Sequence, residues 1–336
     1  MLTINNKGEM KMYNNIKLEK GLYSITGKTF TQALEALDPD SNYAGTELAG
    51  LDAFERQLKR FDIRVKGADS DRVEKFFVST ESAVLFPEYV RRMIKAGMDE
   101  VSIIPNVAAA VTYTDSTDYR GLTVTSDGNS DQVSEAGTVP VTTVRLSATN
   151  LALTKYARRL SCSYESVRKH RLEAFGVILR NLGAAISRDV NKLIIDTLSA
   201  GAGEVELTGA SITYADLTAF WGAMTDCNMT TMVCSPAAMA EILGLSEMKY
   251  CIGEYMSGGT VDTPYGVTLV KSAEVEDVLC VGVDRNSAGE MVLGTDVIVD
   301  FDKLISTQCD EIAASVIVGF SKICPGAVKV LTAKGE

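Results

Sequence analysis

The sequence has few of the residues on which most catalytic and metal sites depend. His170 is the single histidine in 336 residues, and histidine is the commonest proton carrier near neutral pH. The seven cysteines are widely spaced and include no Cys-x-x-Cys pair, so the pattern argues against zinc and favours reduced, mostly buried thiols. We therefore predict no enzyme, no catalytic residue, no metal and no cofactor.

Long apolar runs and excess positive charge are also missing. No segment approaches the roughly 20 apolar residues of a membrane span, and residues 1–15 lack the apolar core of a signal peptide. A soluble intracellular protein without membrane contact is expected. The 33 Lys and Arg against 44 Asp and Glu give a net charge of −11, which is unlike a surface that grips phosphate backbones. Any nucleic acid would be enclosed without sequence-specific binding.

Two motifs that tempt a catalytic interpretation are better explained otherwise. Residues 21–29 resemble a phosphate loop but have five residues between the glycines, not four, and no buried strand before them. His170 lies between two cationic residues, and no carboxylate-oriented nucleophile adjoins it. We read the first motif as a chance resemblance and the second as a surface or helix-end residue.

The N-terminal part of the chain predicts little regular structure at first. Residues 1–45 are polar and rich in Asn and Gly, typical of an arm or linker. Apolar residues at spacings of three and four predict a helix over 46–61. A second short helix is expected from Phe86, with Gly97 as its stop, followed by a strand at 101–104.

The next segment alternates apolar and polar residues over 111–124 and again at 139–141, on either side of the acidic stretch DGNSDQVSEAG. This pattern predicts one long hairpin. Its apolar content is too low for a core of its own, so we expect the hairpin to be buried only by a neighbouring molecule.

The second half of the chain begins with a long helix and continues as alternating helices and strands. One apolar stripe runs through 172–198, and Gly176 and Gly183 suggest that another backbone packs closely there. A helix after Thr213, a buried strand in MTTMVC and a helix opened by Ser235-Pro236 then predict a separate domain. The residues after 296 are expected to form mainly strands.

Taken in order, these elements resemble a tailed-bacteriophage major capsid protein with the Hong Kong ninety-seven fold. The resemblance is carried by VPVTTVRLSATNLALTKYARRLSCSYESVRK, the long helix, VCSPAAMAEILGL and DVIVDFDKLISTQCDEIAASVIVGF. It covers the chain from about Glu81 onward and implies an α+β fold. The implied regions are an N-terminal arm with a short helix (1–80), a peripheral domain with the spine helix (81–111, 145–208 and 296–336), an extended β-hairpin E-loop (112–144) and an α/β axial domain (209–295).

The resemblance also implies a function. Copies would self-assemble into hexamers and pentamers of an icosahedral shell around the double-stranded DNA of a bacteriophage, with the E-loop lying over an adjacent subunit. Portal, scaffolding and decoration proteins are the implied partners, the virion is the implied location, and the host bacterial cytoplasm is the implied place of assembly. Candidate inter-subunit contacts are Tyr113, Tyr119, Arg120, Asp127, Asp131, Glu135, Tyr250, Glu254 and Tyr255.

Two departures from relatives matter for this expectation. No lysine occurs between Lys95 and Lys155, so the covalent crosslink that some relatives make through an E-loop lysine is not expected, and the shell would be held noncovalently. Only about eighty residues precede the similar region, so we expect no removal of a large N-terminal scaffolding segment.

Two other functions stay open. An encapsulin-like compartment shares the fold but encloses enzyme cargo, and the long N-terminal arm and acidic hairpin favour the virus over it. A hydrolase with a Cys or Ser nucleophile would require His170 to approach that residue together with an orienting acid.

Overall fold

The computed structural model combines helices and strands in an α+β fold, as expected from the sequence. The structure describes residues 13–25, 27–116, 118–126, 133–139, 141–164, 169–251 and 261–334. The chain divides into two compact units. The first consists of Met1–Glu100, Ala157–Ala185 and Val297–Ser315, and the second of Val101–Tyr156, Ile186–Asp296 and Val316–Glu336.

In the described residues, the α-helices α1 to α8 are Phe30–Leu37, Ala53–Arg60, Thr80–Ala83, Leu85–Val101, Ile104–Val107, Leu172–Ser199, Tyr214–Gly222 and Pro236–Gly244. The strands β1 to β12 are Ala110–Tyr113, Leu122–Ser126, Thr142–Leu146, Thr154–Ser163, Gly203–Glu206, Thr231–Cys234, Val261–Asp262, Thr268–Lys271, Cys280–Val283, Gly289–Leu304, Cys309–Lys322 and Val328–Thr332. Within this described part, no helix is both long and apolar enough to span a bilayer.

The N-terminal region is more structured than an arm or linker. Two helices form here, α1 and α2, and each starts at a capping box made by Thr29 or Asp52. The cap at Asp52 explains why α2 starts at Ala53 and not at residue 46 as the apolar spacing predicted. Leu34 is fully buried, so this region contributes to a packed core.

A buried ion cluster ties α2 to the segment after α1. The Arg56 Nε donates to Asp38 Oδ2 at 2.7 Å, and neither side chain is exposed. The Tyr43 hydroxyl donates to the other Asp38 oxygen at 2.5 Å, and the guanidinium lies 4.3 Å from the centre of the Tyr43 ring. A buried arginine is tolerated because its charge and its donors are both satisfied. Sequence periodicity gives no sign of this burial.

A second buried carboxylate links the N-terminal helices to α4. Glu88 is fully buried and accepts hydrogen bonds from Thr31 at 2.6 Å and from the Arg92 Nε at 2.9 Å. Arg92 also forms an ion pair of 2.6 Å with Asp52, the cap of α2. These contacts fix α1 and α2 on α4 within the first unit.

Helices α4 and α6 pack backbone to backbone through two glycines. A Cβ at Gly97 would lie 2.0 Å from the Arg180 carbonyl oxygen, and one at Gly183 would lie 2.0 Å from the Ile94 carbonyl oxygen. The predicted close approach at Gly183 is thus present. The prediction that Gly97 stops its helix is wrong, since α4 continues to Val101.

The predicted strand at 101–104 is also wrong. Val101 ends α4, and Ile104 begins the short helix α5. The Asn191 amide of α6 donates to the Val101 carbonyl oxygen at 2.9 Å, and its side-chain oxygen accepts from the Ile103 amide at 3.2 Å. This buried asparagine satisfies the backbone between the two helices, which a pattern of apolar residues does not reveal.

The second unit contains a six-stranded sheet in the order β5-β12-β9-β6-β8-β7. Its central strand β6 is buried along its length and pairs antiparallel with β9 and parallel with β8. Helices α7 and α8 begin where the sequence predicts, because Thr213 and Ser235 accept hydrogen bonds as N-caps. Apolar side chains from the sheet and both helices share one core.

Strands β1, β10, β11 and β4 form a second sheet in that order, and β2 and β3 form a two-stranded sheet. The six described thiols are all free, as expected, but only Cys234 and Cys280 are buried. Their sulfur atoms lie 3.3 Å apart on neighbouring strands of the six-stranded sheet. The prediction of mostly buried thiols is therefore wrong for the other four, which are half-buried.

Candidate functional site

The β2/β3 hairpin carries several exposed apolar side chains. Its strands pair antiparallel from Leu122 opposite Leu146 to Ser126 opposite Thr142. Directly opposite residues of an antiparallel pair lie on the same face. One face therefore carries Leu122, Val124, Val144 and Leu146, which we call the apolar hairpin face.

Three of the four side chains on the apolar hairpin face are exposed, and Val124 is half-buried. Leu122 is 45% exposed, Val144 58% and Leu146 63%. The opposite face carries Thr123 and Arg145, which also lie opposite each other. A two-stranded hairpin with an uncovered apolar face is marginally stable in water by itself, and adjoining exposed apolar residues are typical of interaction surfaces. The arrangement is suited to docking, and offers no group for chemistry.

Val111 and Tyr113 do not belong to this hairpin, so the prediction that one hairpin explains the whole alternating segment is wrong. They lie in β1, which pairs parallel with β10 so that Val111 is opposite Met291. Alternation of apolar and polar residues identifies a strand but not its partner. The partner strand is far away in the sequence.

The base of the hairpin is held by contacts within the second unit. The Tyr119 hydroxyl donates to Glu290 Oε1 at 2.8 Å. Burial, together with this bond to a carboxylate, raises the pKa of Tyr119 above its ordinary value. The Arg120 Nε donates to Asn150 Oδ1 at 3.0 Å. Both side chains thus have partners in their own chain.

The structure places the other candidate contact residues as follows. Tyr113 is 70% exposed and Glu135 is also exposed, so both are available to a partner. The backbone of Tyr250 lies in a short 3-10 helix, Glu247–Cys251. Four candidates lie outside the described residues: Asp127, Asp131, Glu254 and Tyr255. Sequence reasoning missed the apolar hairpin face itself, although the alternation at Leu122 and Val124 was its signal.

The described residues offer little to the hydrolase hypothesis. His170 is exposed, and its backbone carbonyl accepts from the Val73 amide at 3.1 Å. In the parts of the chain for which side chains are described, no hydrogen bond joins its ring to a serine or cysteine, and no group of His, Cys, Asp and Glu is arranged to hold a metal ion.

The fold matches solved capsid structures at low sequence identity. The virus-like particle from Pyrococcus furiosus matches with a TM-score of 0.51 and 13% identity, over 73% of this chain and 99% of that one. The capsid of the cyanophage P-SCSP1u matches with a TM-score of 0.50 and 12% identity, over 69% and 88%. Mycobacterium phage Bobi gives 0.51 and 11%, over 70% and 91%. These likenesses show a capsid fold.

The sequence itself carries a family signal in its middle part. Residues 145–305, just under half of the chain, match the model of a phage capsid protein family. No curated protein matches the sequence significantly. Together, the fold and the family match confirm the resemblance to tailed-phage major capsid proteins, and they support a structural capsid protein.

Proposed function

We propose that copies of this chain assemble into a closed shell in which the β2/β3 hairpin of each subunit lies over its neighbour. The observation that carries this proposal is the apolar hairpin face, whose residues Val144 and Leu146 are more than half exposed in the single chain. A second copy is the proposed occupant, because a capsid fold exists to contact copies of itself. The hairpin then serves as the E-loop, in the region 112–144.

Repetition makes such a contact sufficient. A hairpin that lies over the next subunit makes a heterologous contact, which closes into a ring when the rotation between subunits closes. Each apolar side chain that becomes buried contributes about 1.5–3 kcal/mol at most. Every copy makes the contact once and receives it once, so the total over a shell is large although each contact is modest.

The remaining regions take the roles that the resemblance implies. Residues 209–295 form the axial domain around the centres of hexamers and pentamers, and 81–111, 145–208 and 296–336 form the peripheral domain with α6 as its spine helix. Residues 1–80 form the N-terminal region of the subunit and are folded in their described part. Portal, scaffolding and decoration proteins are the proposed partners in the virion, with assembly in the bacterial cytoplasm.

The proposed cargo is the double-stranded DNA genome of a tailed phage, and the shell has no enzymatic role and no cofactor. A net charge of −11 supports enclosure without tight binding, since an acidic wall repels phosphate backbones. The same charge limits association of free subunits before assembly. This proposal excludes sequence-specific DNA contacts.

The test removes the apolar character of the hairpin face and leaves the strand pairing intact. We expect the double variant Val144→Ser, Leu146→Ser to give soluble folded subunits that form no closed particles. The matched control, Thr143→Ser with Arg145→Gln, changes two neighbouring residues on the opposite face and should assemble normally. Electron microscopy and sedimentation velocity measure both variants.

Two results would count against the proposal. If the apolar-face variant forms particles at the same yield as the control, the hairpin does not carry the contact. If unmodified particles from infected or expressing cells hold protein cargo and exclude DNA, the shell is a compartment of the encapsulin type and not a virion.

A further inference from the structure

The base of the β2/β3 hairpin is held in the second unit by several contacts. We define the arm joint as Thr112, Tyr119, Gly121, Glu290 and Ser321, which lie at the base of the hairpin and in β1, β10 and β11. All five residues belong to the second unit. Hydrogen bonds and close packing connect these residues, which is unlike a flexible linker.

Glu290 is the polar centre of this joint. It is only 7% exposed, and it accepts hydrogen bonds from the hydroxyls of Tyr119, at 2.8 Å, and Thr112. Within the described residues no lysine or arginine forms an ion pair with it. A buried carboxylate without a cation depends on its hydrogen-bond donors, so the loss of one donor is costly.

Close backbone contact holds the first strand of the hairpin on β11. A Cβ at Gly121 would lie 1.9 Å from the Ser321 hydroxyl oxygen, so a larger residue at this place requires the Ser321 side chain to move. The Val124 amide donates to the Ile323 carbonyl oxygen at 3.1 Å, which extends the contact into β2. The backbone of the hairpin therefore meets the end of β11, and Tyr119 adds a contact with β10.

The returning strand is tied to the same place. The Ser147 amide donates to the Gly121 carbonyl oxygen at 2.8 Å, and the Leu151 amide donates to the Tyr119 carbonyl oxygen at 2.8 Å. Contacts that fix Tyr119 and Gly121 therefore fix both strands at the base of the hairpin. The direction of the hairpin is set by the fold of the single chain and does not wait for a neighbour.

We infer that the arm joint is a positioning device: the Tyr119–Glu290 hydrogen bond and the close packing of Gly121 set the angle at which the hairpin reaches the next subunit. This inference rests on the proposed function, and it adds that the joint makes the angle uniform from copy to copy. Uniform angles give particles of one curvature. A loosened joint allows several angles and hence particles of several diameters.

The experiment compares Tyr119→Phe with Tyr214→Phe. Tyr214 is a half-buried tyrosine of α7 whose hydroxyl forms no hydrogen bond in the part of the chain that the structure describes. Two readouts are used. Amide hydrogen exchange of residues 120–124 and 147–151 is measured in subunits kept unassembled by the Val144→Ser, Leu146→Ser background, and particle diameters are measured by electron microscopy in the otherwise native sequence.

Tyr119→Phe should accelerate exchange at the hairpin base on the order of tenfold, as expected when one hydrogen bond to a carboxylate is lost, and should broaden the distribution of diameters. Glu290→Gln keeps an acceptor oxygen and should have a smaller effect on both. Tyr214→Phe should change neither. An unaltered melting temperature of Tyr119→Phe would separate this effect from general destabilisation.

If amide exchange in Tyr119→Phe is unchanged, the arm joint does not hold the hairpin. If exchange is faster but particle diameters stay uniform, the joint does not set the curvature. Failure of the proposed function looks different. In that case the native chain forms no particles at all, while the exchange measurement still decides whether the joint holds the hairpin.

Discussion

The β2/β3 hairpin and the six-stranded sheet are both rich in valine, leucine and threonine, yet they use these residues in opposite ways. Val233 in β6 is fully buried, whereas Val144 in β3 is 58% exposed. The six-stranded sheet meets its own helices within the unit, and the hairpin does not. The six-stranded sheet thus buries its apolar residues within the chain. Under the proposed function, a neighbouring copy covers the apolar residues of the hairpin.

The crossing of α4 and α6 belongs with the six-stranded sheet in this comparison. Gly97 and Gly183 bring the two backbones so close that no side chain fits between them. We call this a finished contact, because both surfaces that form it belong to one chain and are buried there. We expect mutations at finished contacts to unfold the subunit, and mutations at the apolar hairpin face to spare the subunit and stop assembly.

The largest effect is expected at the helix crossing. Gly183→Ala places a methyl group against the Ile94 carbonyl oxygen, and the backbones have to separate. We expect the free energy of unfolding to fall by about 3 kcal/mol, the upper range for overpacking. Urea denaturation of unassembled subunits, followed by circular dichroism, measures the change.

Gly222, the last residue of α7, is the matched control because no atom lies within 4 Å of its Cβ position. Gly222→Ala should change the free energy of unfolding by no more than about 1 kcal/mol, through helix propensity alone. If Gly183→Ala and Gly222→Ala change the free energy of unfolding equally, the helix crossing is not a finished contact.

A smaller effect on the free energy of unfolding is expected when the same substitution is made in the six-stranded sheet and in the hairpin. Val233→Ala leaves a cavity in a buried strand and should lower the free energy of unfolding by about 2 kcal/mol. Val144→Ala, the same change on the apolar hairpin face, should stay within about 0.5 kcal/mol. The same denaturation measurement applies, and a large loss for Val144→Ala would mean that its own chain already covers the hairpin.

The smallest effect depends on pH and lies at the start of α7. Burial acts to raise the pKa of Asp216, but hydrogen bonds from Thr213 and Thr208 outweigh it and hold this pKa at about 2. A pKa lowered by folding contributes stability above the unfolded value, near pH 4, and this contribution is lost as the pH falls towards 2. We expect about 1 kcal/mol of this contribution to be lost between pH 6 and pH 3.

Asp216→Asn should abolish this part of the pH dependence, whereas Asp226→Asn, at an exposed position of the same unit, should preserve it. Thermal unfolding at pH 6 and pH 3 compares the variants. A native pH profile in Asp216→Asn would show that the carboxylate does not stabilise α7.

Local patterns predicted those elements whose causes are local. The apolar stripe predicted α6 almost to its last residue, because 28 residues of one helix repeat the same spacing. The caps Thr213 and Ser235 predicted where α7 and α8 begin, since an N-cap bonds to residues two or three positions away. These predictions required no knowledge of the tertiary structure.

The errors arose where a distant residue decides the structure. Gly97 reads as a helix stop by propensity, but its absence of a side chain serves the contact with Arg180. Arg56 lies in a predicted helix whose periodicity gives no sign that Asp38 and Tyr43 bury it. Val111 reads as part of the hairpin, but its strand pairs with β10. In each case the deciding partner is remote in sequence or unmarked by any pattern.

The candidate site was partly predictable for the same reason. Alternation at Leu122 and Val124 indicated a strand with one apolar face, and the low apolar content around it indicated that this face stays open. The chosen contacts favoured tyrosines and charges instead, and Tyr119 turned out to bind Glu290 in its own chain. Composition indicates that a segment has too few apolar residues for a core of its own. Only the strand register shows which side chains share one face.

The place of β12 in the six-stranded sheet has a consequence for biosynthesis. β5 pairs with β12 alone, and β12 also closes the sheet against β9. During translation β5 emerges long before residues 328–332 exist, so this sheet cannot be completed until they leave the ribosome. Under the proposed function, a nascent chain would therefore be unable to join a shell during most of its synthesis.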